Sequence, residues 1–136
     1  RKNTKGQWFH YAINREPNVG QYYNSKGSIL ARIGRFDESF AAFAKAIELE
    51  PNNALFLESL GFAYVDLGNK LNEDATYLDN KAYAKAKVEI DAAYKNALPY
   101  FEKAYELEPD NYSFKHSLRS LYYRLGMNDK YEALAD

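Results

Sequence analysis

The sequence contains no cysteine and only two histidines in 136 residues, and neither sign of charge dominates it. Without thiols the chain can form no disulfide, no thiolate metal site and no cysteine-based catalytic site. Its 18 basic and 19 acidic side chains give a net charge of -1. It therefore lacks the basic field that binds nucleic-acid phosphates, and we expect no nucleic-acid partner.

Long apolar runs and flexible linkers are also missing. No stretch of about 20 apolar residues occurs, so we expect no membrane span. No glycine- and serine-rich linker divides the chain, and its length predicts a single domain over residues 1–136. The first residue is arginine rather than methionine, from which we expect an upstream piece to be missing. The compartment is therefore left open.

Residues suited to catalysis or metal binding are few. His10 and His116 lie far apart in the sequence, without a cysteine or carboxylate at ligand spacing, so we expect no metal site. Glu73, Asp74 and Asp79 lack the order of a calcium-binding loop and are better interpreted as a solvated acidic segment. No nucleophile elbow, glycine-rich phosphate loop or Ser/His/Asp order occurs, which predicts a non-catalytic protein without a cofactor.

What the sequence does contain is a proline-ended segment that recurs in register. Its first two copies are 34 residues apart, with Phe9, Ala12, Ile13 and Pro17 followed by Phe43, Ala46, Ile47 and Pro51. A third copy lies 58 residues beyond the second and contains Phe101, Ala104, Leu107 and Pro109. A fixed period of this length indicates stacked pairs of helices.

Apolar periodicity predicts where these helices lie. The expected ranges are 5–15, 19–33, 38–49, 54–67, 112–125 and a short polar closing helix within 128–136. Asp37 is expected to cap the third of them. Gly34, Gly68 and Gly126 are expected to end the helices that precede them, because glycine suits the left-handed position after a helix.

The third copy is displaced because its spacing is 58 residues instead of 34, which places 24 extra residues between Gly68 and Ala97. Their polar first part, residues 69–76, is expected to be a loop. An alanine-rich stripe then continues without a phase break into the repeat, which predicts one helix of about 28 residues, kinked at Pro99. The stripe needs a covering partner, and the preceding loop, an upstream domain and another subunit are all open alternatives.

The recurring pattern resembles the tetratricopeptide repeat (TPR), a 34-residue helix–turn–helix unit with small residues where its helices touch. The matching positions of the first copy are Tyr23, Gly27, Leu30, Gly34, Phe36, Ser39, Phe43, Ala46 and Pro51. Those of the second are Leu57, Leu60, Gly61, Tyr64, Gly68, Ala97, Phe101, Ala104 and Pro109, and those of the third are Leu118, Tyr122, Leu125 and Gly126. Arg119 departs from the pattern, since it stands where a small residue is usual.

The resemblance implies an all-α, right-handed α-solenoid with an extended, kinked helix in its second full repeat. Its expected parts are the second helix of a partial repeat (5–17), repeat 1 (19–51), repeat 2 with its insertion (52–109), and a partial repeat 3 with a C-terminal cap (110–136). The segments 97–108 and 121–131 are similar to a bacterial subgroup with a long inserted helix. Members of that subgroup often look exported or periplasmic.

The resemblance also implies a protein-interaction scaffold that binds a peptide or protein surface on its concave face. The residues that this places there are Asn24, Ser28, Arg32, Glu58, Phe62, Asp66, His116, Tyr123 and Arg124. Phe62 and Tyr123 are the expected aromatic anchors, with coverage of neighbouring helices as the alternative. Family members that clamp a terminal carboxylate use cations at positions where this chain has Ser113 and Ser117, so that clamp is not expected.

Two other functions are left open. The first is a structural domain that forms homo-oligomers through its open N-terminal helix and its long inserted helix. The second is an accessory domain of a larger enzyme.

Overall fold

A computed structural model of the chain describes residues 5–135, and helices are the only regular secondary structure in that range. They are α1 (Lys5–Arg15), α2 (Gly20–Arg32), α3 (Phe36–Leu49), α4 (Ala54–Ala75), α5 (Asn80–Leu107), α6 (Tyr112–Arg124) and α7 (Asn128–Ala133). Each helix contacts the next one along the chain, and α2 also contacts α4. The all-α solenoid that the repeat spacing predicts is therefore confirmed.

Helix beginnings depend on side-chain caps in two of the pairs. The Asn53 side chain accepts a hydrogen bond from the backbone N–H of Phe56, and Asn111 caps α6 in the same way. The predicted cap at Asp37 is wrong: α3 begins at Phe36, two residues before the predicted start, and its cap residue, Arg35, makes no side-chain hydrogen bond that caps the helix. Asp37 lies instead in the first turn, where its charge is favourable beside the positive end of the helix dipole.

Two of the three glycines expected to end helices do so. Gly34 and Gly126 have φ angles of 83° and 70°, in the left-handed region that favours glycine. The backbone N–H of Arg35 then reaches the Leu30 carbonyl at 2.9 Å, which closes α2 with the hydrogen bonding of a left-handed cap.

Gly68 does not end a helix, and the predicted loop over 69–76 is wrong, because α4 continues to Ala75. The polar residues of this segment are exposed, whereas Ala75 is 2% exposed and packs with Leu71 in the main apolar cluster. Gly68 instead allows α4 and α5 to approach closely, because a Cβ atom there would lie 2.5 Å from the Tyr94 ring. The extra residues therefore lengthen both helices of the pair.

The long helix predicted from the alanine stripe is present as α5, which has 28 residues with Pro99 inside it. Its first half packs along the end of α4, and we call this helical hairpin, residues 69–93, the arm. Ala86 and the buried Ile90 share an apolar cluster with Leu71 and Ala75 of α4. The partner of the stripe is therefore the chain itself, at the place where a loop was expected.

Glycine–phenylalanine contacts hold the helices of each full pair together. A Cβ atom at Gly27 would lie 2.9 Å from the Phe43 ring, and one at Gly61 would lie 2.5 Å from Cδ1 of Phe101. Both rings are at most 2% exposed. The helices approach so closely because no side chain separates the glycine backbone from the ring.

Candidate functional site

The first helices of successive pairs, α2, α4 and α6, bear the predicted site residues. We call their shared surface the groove face. Between α2 and α4, Ser28, Arg32, Phe62 and Asp66 line one cavity of about 250 Å³. Partial burial raises the pKa of Asp66. Within residues 5–135, neither Asp66 nor Arg32 forms an ion pair. Both charged side chains line the cavity without a partner of opposite charge.

Asn24 lies in a second cavity, between α1 and α2. This cavity has a volume of about 450 Å³, and its lining includes Trp8, Ser28 and Arg32. The Asn24 side-chain oxygen is buried and accepts no hydrogen bond from any residue within 5–135. An unpaired buried acceptor of this kind is destabilising.

A third cavity lies between α6 and α7 and has a volume of about 510 Å³. Its lining residues are His116, Arg119, Ser120, Tyr123, Arg124 and Tyr131, and we call it the α6–α7 cavity. It brings together the three site residues that the sequence predicts on α6. Sequence reasoning did not assign Arg119 and Tyr131 to the site, although the departure of Arg119 from the repeat pattern was a signal that could have found them.

Arg119 takes the place of the packing glycine in the third copy. Its guanidinium carbon lies 3.9 Å from the centre of the Tyr131 ring, and its Nε donates to the Tyr131 carbonyl at 3.4 Å. The Tyr123 and Tyr131 ring centres are 5.4 Å apart. A cation–π contact therefore replaces the glycine–phenylalanine contact of the two full pairs.

Arg124 is oriented from the base of the arm. Its guanidinium lies over the Tyr94 ring at 4.7 Å and donates to the Tyr94 hydroxyl at 3.1 Å. That hydroxyl in turn donates to the Asn69 side chain at 2.7 Å. Tyr94, which directly follows the arm, thus holds Arg124 in place, and Asn69 at the start of the arm holds Tyr94.

Glu58 differs from the other predicted site residues because it is 9% exposed. Its carboxylate accepts hydrogen bonds from the Ser117 and Ser113 hydroxyls at 3.1 Å and 3.4 Å. Glu58 therefore joins α4 to α6 inside the protein, and the structure does not bring it to the three cavities.

A family profile described as TPR repeat matches residues 27–68, and one described as Tetratricopeptide repeat matches residues 92–111. The chain therefore contains tetratricopeptide repeats. No curated protein sequence shows a significant match to this TPR chain.

One solved structure shares the fold of this TPR protein. A structure titled "Human IFIT1 dimer with m7Gppp-AAAA" superposes with a TM-score of 0.68 at 20% identity, over 85% of this chain and 24% of the IFIT1 chain. "MamA RS-1 ArsTM double mutant" superposes with a TM-score of 0.45 at 19% identity, over 95% of this chain and 76% of that one. This TPR chain thus spans about a quarter of the length of IFIT1, and at this identity the likeness shows the fold alone.

Within the described residues of the TPR protein, none of the helices is long and apolar enough to cross a membrane. The same residues include no group of three or more His, Cys, Asp or Glu side chains that could hold a metal ion.

The buried Glu58 predicts a pH-dependent stability. Burial raises its pKa above the ordinary value of 4.5, and the two serine hydroxyls offset part of this rise. A raised folded-state pKa means that the folded protein binds the proton more tightly, so stability falls as the pH rises from about 4.5 through the folded-state pKa. Glu58→Gln keeps an acceptor for Ser117 and removes the charge. We expect this variant to melt at a higher temperature than the wild type at neutral pH.

The melting temperatures of the two proteins should converge as the pH falls below the unfolded-state pKa, where Glu58 is neutral in both states. Glu48→Gln is the matched control, because Glu48 is exposed and its ion pair within the described residues is with Lys45 alone. A Glu58→Gln advantage that is the same at every pH would contradict the assignment of the effect to this carboxyl group.

Proposed function

We propose that this TPR protein is a non-catalytic scaffold that binds a segment of another protein along its groove face. The observation that carries the proposal is the exposure of two aromatic side chains on that face. Phe62 is 44% exposed and Tyr123 is 69% exposed, and each lines a cavity together with an arginine. TPR repeats are generally non-catalytic, which agrees with a binding function.

Both aromatic side chains are fixed by neighbouring rings. The Phe62 ring meets the buried Phe101 ring edge to face, with centroids 5.1 Å apart, and Tyr123 contacts Tyr131. A side chain that is already held loses little rotational freedom on binding, so more of its buried area contributes to affinity. Binding energy at protein interfaces is concentrated in a few such aromatic residues, surrounded by polar contacts.

The polar residues between these aromatic side chains can fix the path of an extended or helical segment. Arg32 and Asp66 offer a donor and an acceptor in the same cavity. Asn24 lines the neighbouring cavity with its side-chain amide. Hydrogen bonds to such groups would set the register of the bound segment, while Phe62 and Tyr123 supply apolar contact.

The test is a display selection from a random peptide library against the full chain, followed by fluorescence polarisation with the selected peptides. Phe62→Ala and Tyr123→Ala should each weaken binding by about tenfold or more, the size of effect typical of an interface hot spot. Tyr77→Ala is the matched control, because Tyr77 is 95% exposed at the tip of the arm, outside the three cavities. Failure to select any peptide, or unchanged affinity in both groove variants, would overturn the proposal.

An oligomerisation domain remains the alternative prediction. Of the two features that favoured it, the long inserted helix no longer does. The alanine stripe of the arm is covered by α4 of the same chain, so it needs no second subunit. The other feature is α1, where Trp8 and Tyr11 are 50% and 59% exposed. Light scattering at several concentrations would distinguish an oligomer that forms through α1 from a monomer, whose mass is 15.7 kDa.

A further inference from the structure

We propose that the α6–α7 cavity binds a side-chain carboxylate of an acidic segment in the partner protein. This inference rests on the proposed function and specifies the chemistry at one end of the groove face. None of the six residues that line the cavity is acidic, and Arg119, Arg124 and His116 all contribute to it. The cavity is therefore electrostatically complementary to an anionic group.

Neither arginine has a carboxylate partner within residues 5–135. Arg119 uses one N–H to reach the Tyr131 carbonyl, and Arg124 uses one to reach the Tyr94 hydroxyl. A guanidinium group has five N–H donors, so most donors of each arginine are still available. Arg35 is different, because it makes two hydrogen bonds to Glu38. An incoming carboxylate can thus bind without displacing an ion pair.

Both guanidinium groups are held against tyrosine rings before any ligand arrives. Arg119 lies 3.9 Å from the Tyr131 centroid, and Arg124 lies 4.7 Å from that of Tyr94. Such stacking leaves the in-plane N–H groups free and restricts the side chains to few rotamers. The ordering cost of binding is therefore reduced, and a planar carboxylate can be bound by two parallel hydrogen bonds.

The exposed Tyr123 ring further defines the ligand. It forms an apolar wall beside the two cations and is 69% exposed. An acidic residue next to an aromatic or aliphatic one would place its carboxylate on the arginines and its neighbour on this ring. This arrangement favours an acidic protein segment over a free inorganic anion, which would leave the ring uncovered.

The site differs in position from the carboxylate clamp of the family. The clamp positions on α6 are Ser113 and Ser117, and both hydroxyls are hydrogen-bonded to the buried Glu58 carboxylate. An anion at those serines would meet a like charge. The cations lie later on α6, on the side facing α7, where no acidic side chain lines the cavity.

The experiment repeats the peptide selection with a charge-neutralised variant of the full chain. Arg119→Gln/Arg124→Gln removes both cations, and Arg119→Lys/Arg124→Lys keeps the charge but not the planar donor group. Arg35→Gln/Lys45→Gln is the matched control, because it removes two cations from exposed ion pairs away from the cavity. Circular dichroism melts establish that each variant is folded at the assay temperature. If the double glutamine variant is not, Arg124→Gln alone gives the result, since Arg124 is exposed.

Peptides selected by the wild type should be enriched in aspartate and glutamate relative to the input library. Their affinity should fall by about tenfold or more in the double glutamine variant and partly recover in the lysine variant, while the control stays within about twofold of the wild type. Selected peptides that need Phe62 but show neither acidic enrichment nor an arginine effect would overturn this inference and leave the proposed function intact. A failure to select any peptide would overturn both.

Discussion

Phe101→Ala is expected to lower the free energy of unfolding by about 3–5 kcal/mol, the usual cost of removing a buried phenylalanine side chain. Phe101 is 2% exposed and lies where α5 crosses α4, against Gly61 and Phe62. It also shares an apolar cluster with Leu118 of α6, so its removal leaves a void at the junction of three helices. Since small domains are stable by only about 5–15 kcal/mol, this variant should be close to unfolding.

The measurement is a urea titration followed by far-ultraviolet circular dichroism, with Phe62→Ala as the matched control. The two phenylalanines are in contact and lose the same atoms, but Phe62 is 44% exposed. Its loss should therefore cost less than half as much, because less apolar area returns to water and no closed void forms. Equal losses in the free energy of unfolding for the two variants would show that the deeper burial of Phe101 adds nothing to stability.

The contrast between Phe101 and Phe62 also shows how much of the fold could be predicted from the sequence. The repeat spacing places Phe101 in register with Phe43, and both are buried where the spacing predicts. Apolar periodicity also predicts the bounds of α1, and the alanine-rich stripe predicts the length of α5. These elements follow from local periodicity, which one sequence displays in full.

The error at residues 69–76 has a physical cause. Six of these eight residues are polar, so composition favours a loop, and only Leu71 and Ala75 mark a buried face. The extension of α4 is stabilised by α5, whose covering residues begin beyond the turn at 76–79. Tertiary packing of this kind cannot be derived from a short segment alone, because two apolar positions do not establish a period.

The candidate site was predictable to the same limited degree. Register places Phe62 on α4 and Tyr123 on α6, and each lines a cavity. Register could not show that Glu58 points inward, because its partners are 55 and 59 residues away in the sequence. The α6–α7 cavity could not be predicted either, because it depends on how α7 packs against Arg119. That arginine occupies a position where the repeat usually has a small residue.

Gly61→Val should be as disruptive as the loss of Phe101, but for the opposite reason. A Cβ atom at position 61 would lie 2.5 Å from Cδ1 of Phe101, and valine adds two further carbon atoms at the same crossing. The two helices cannot separate without uncovering the cluster around Phe101. Overpacking at such a site is expected to cost about 3 kcal/mol or more. Even Gly61→Ala should destabilise the protein, although alanine normally stabilises a helix by about 1 kcal/mol relative to glycine.

A compensating substitution separates this overlap from a backbone effect. In Gly61→Ala/Phe101→Leu the smaller side chain makes room for the methyl group, so the double variant should cost less than the sum of the single variants. Gly34→Ala is the control, because nothing lies within 4 Å of a Cβ atom there and its φ of 83° makes the cost one of backbone strain, about 1–2 kcal/mol. That cost should be unchanged by Phe101→Leu. Urea titrations of all these variants decide the matter: purely additive costs for Gly61→Ala and Phe101→Leu would contradict a direct contact between helix backbone and ring.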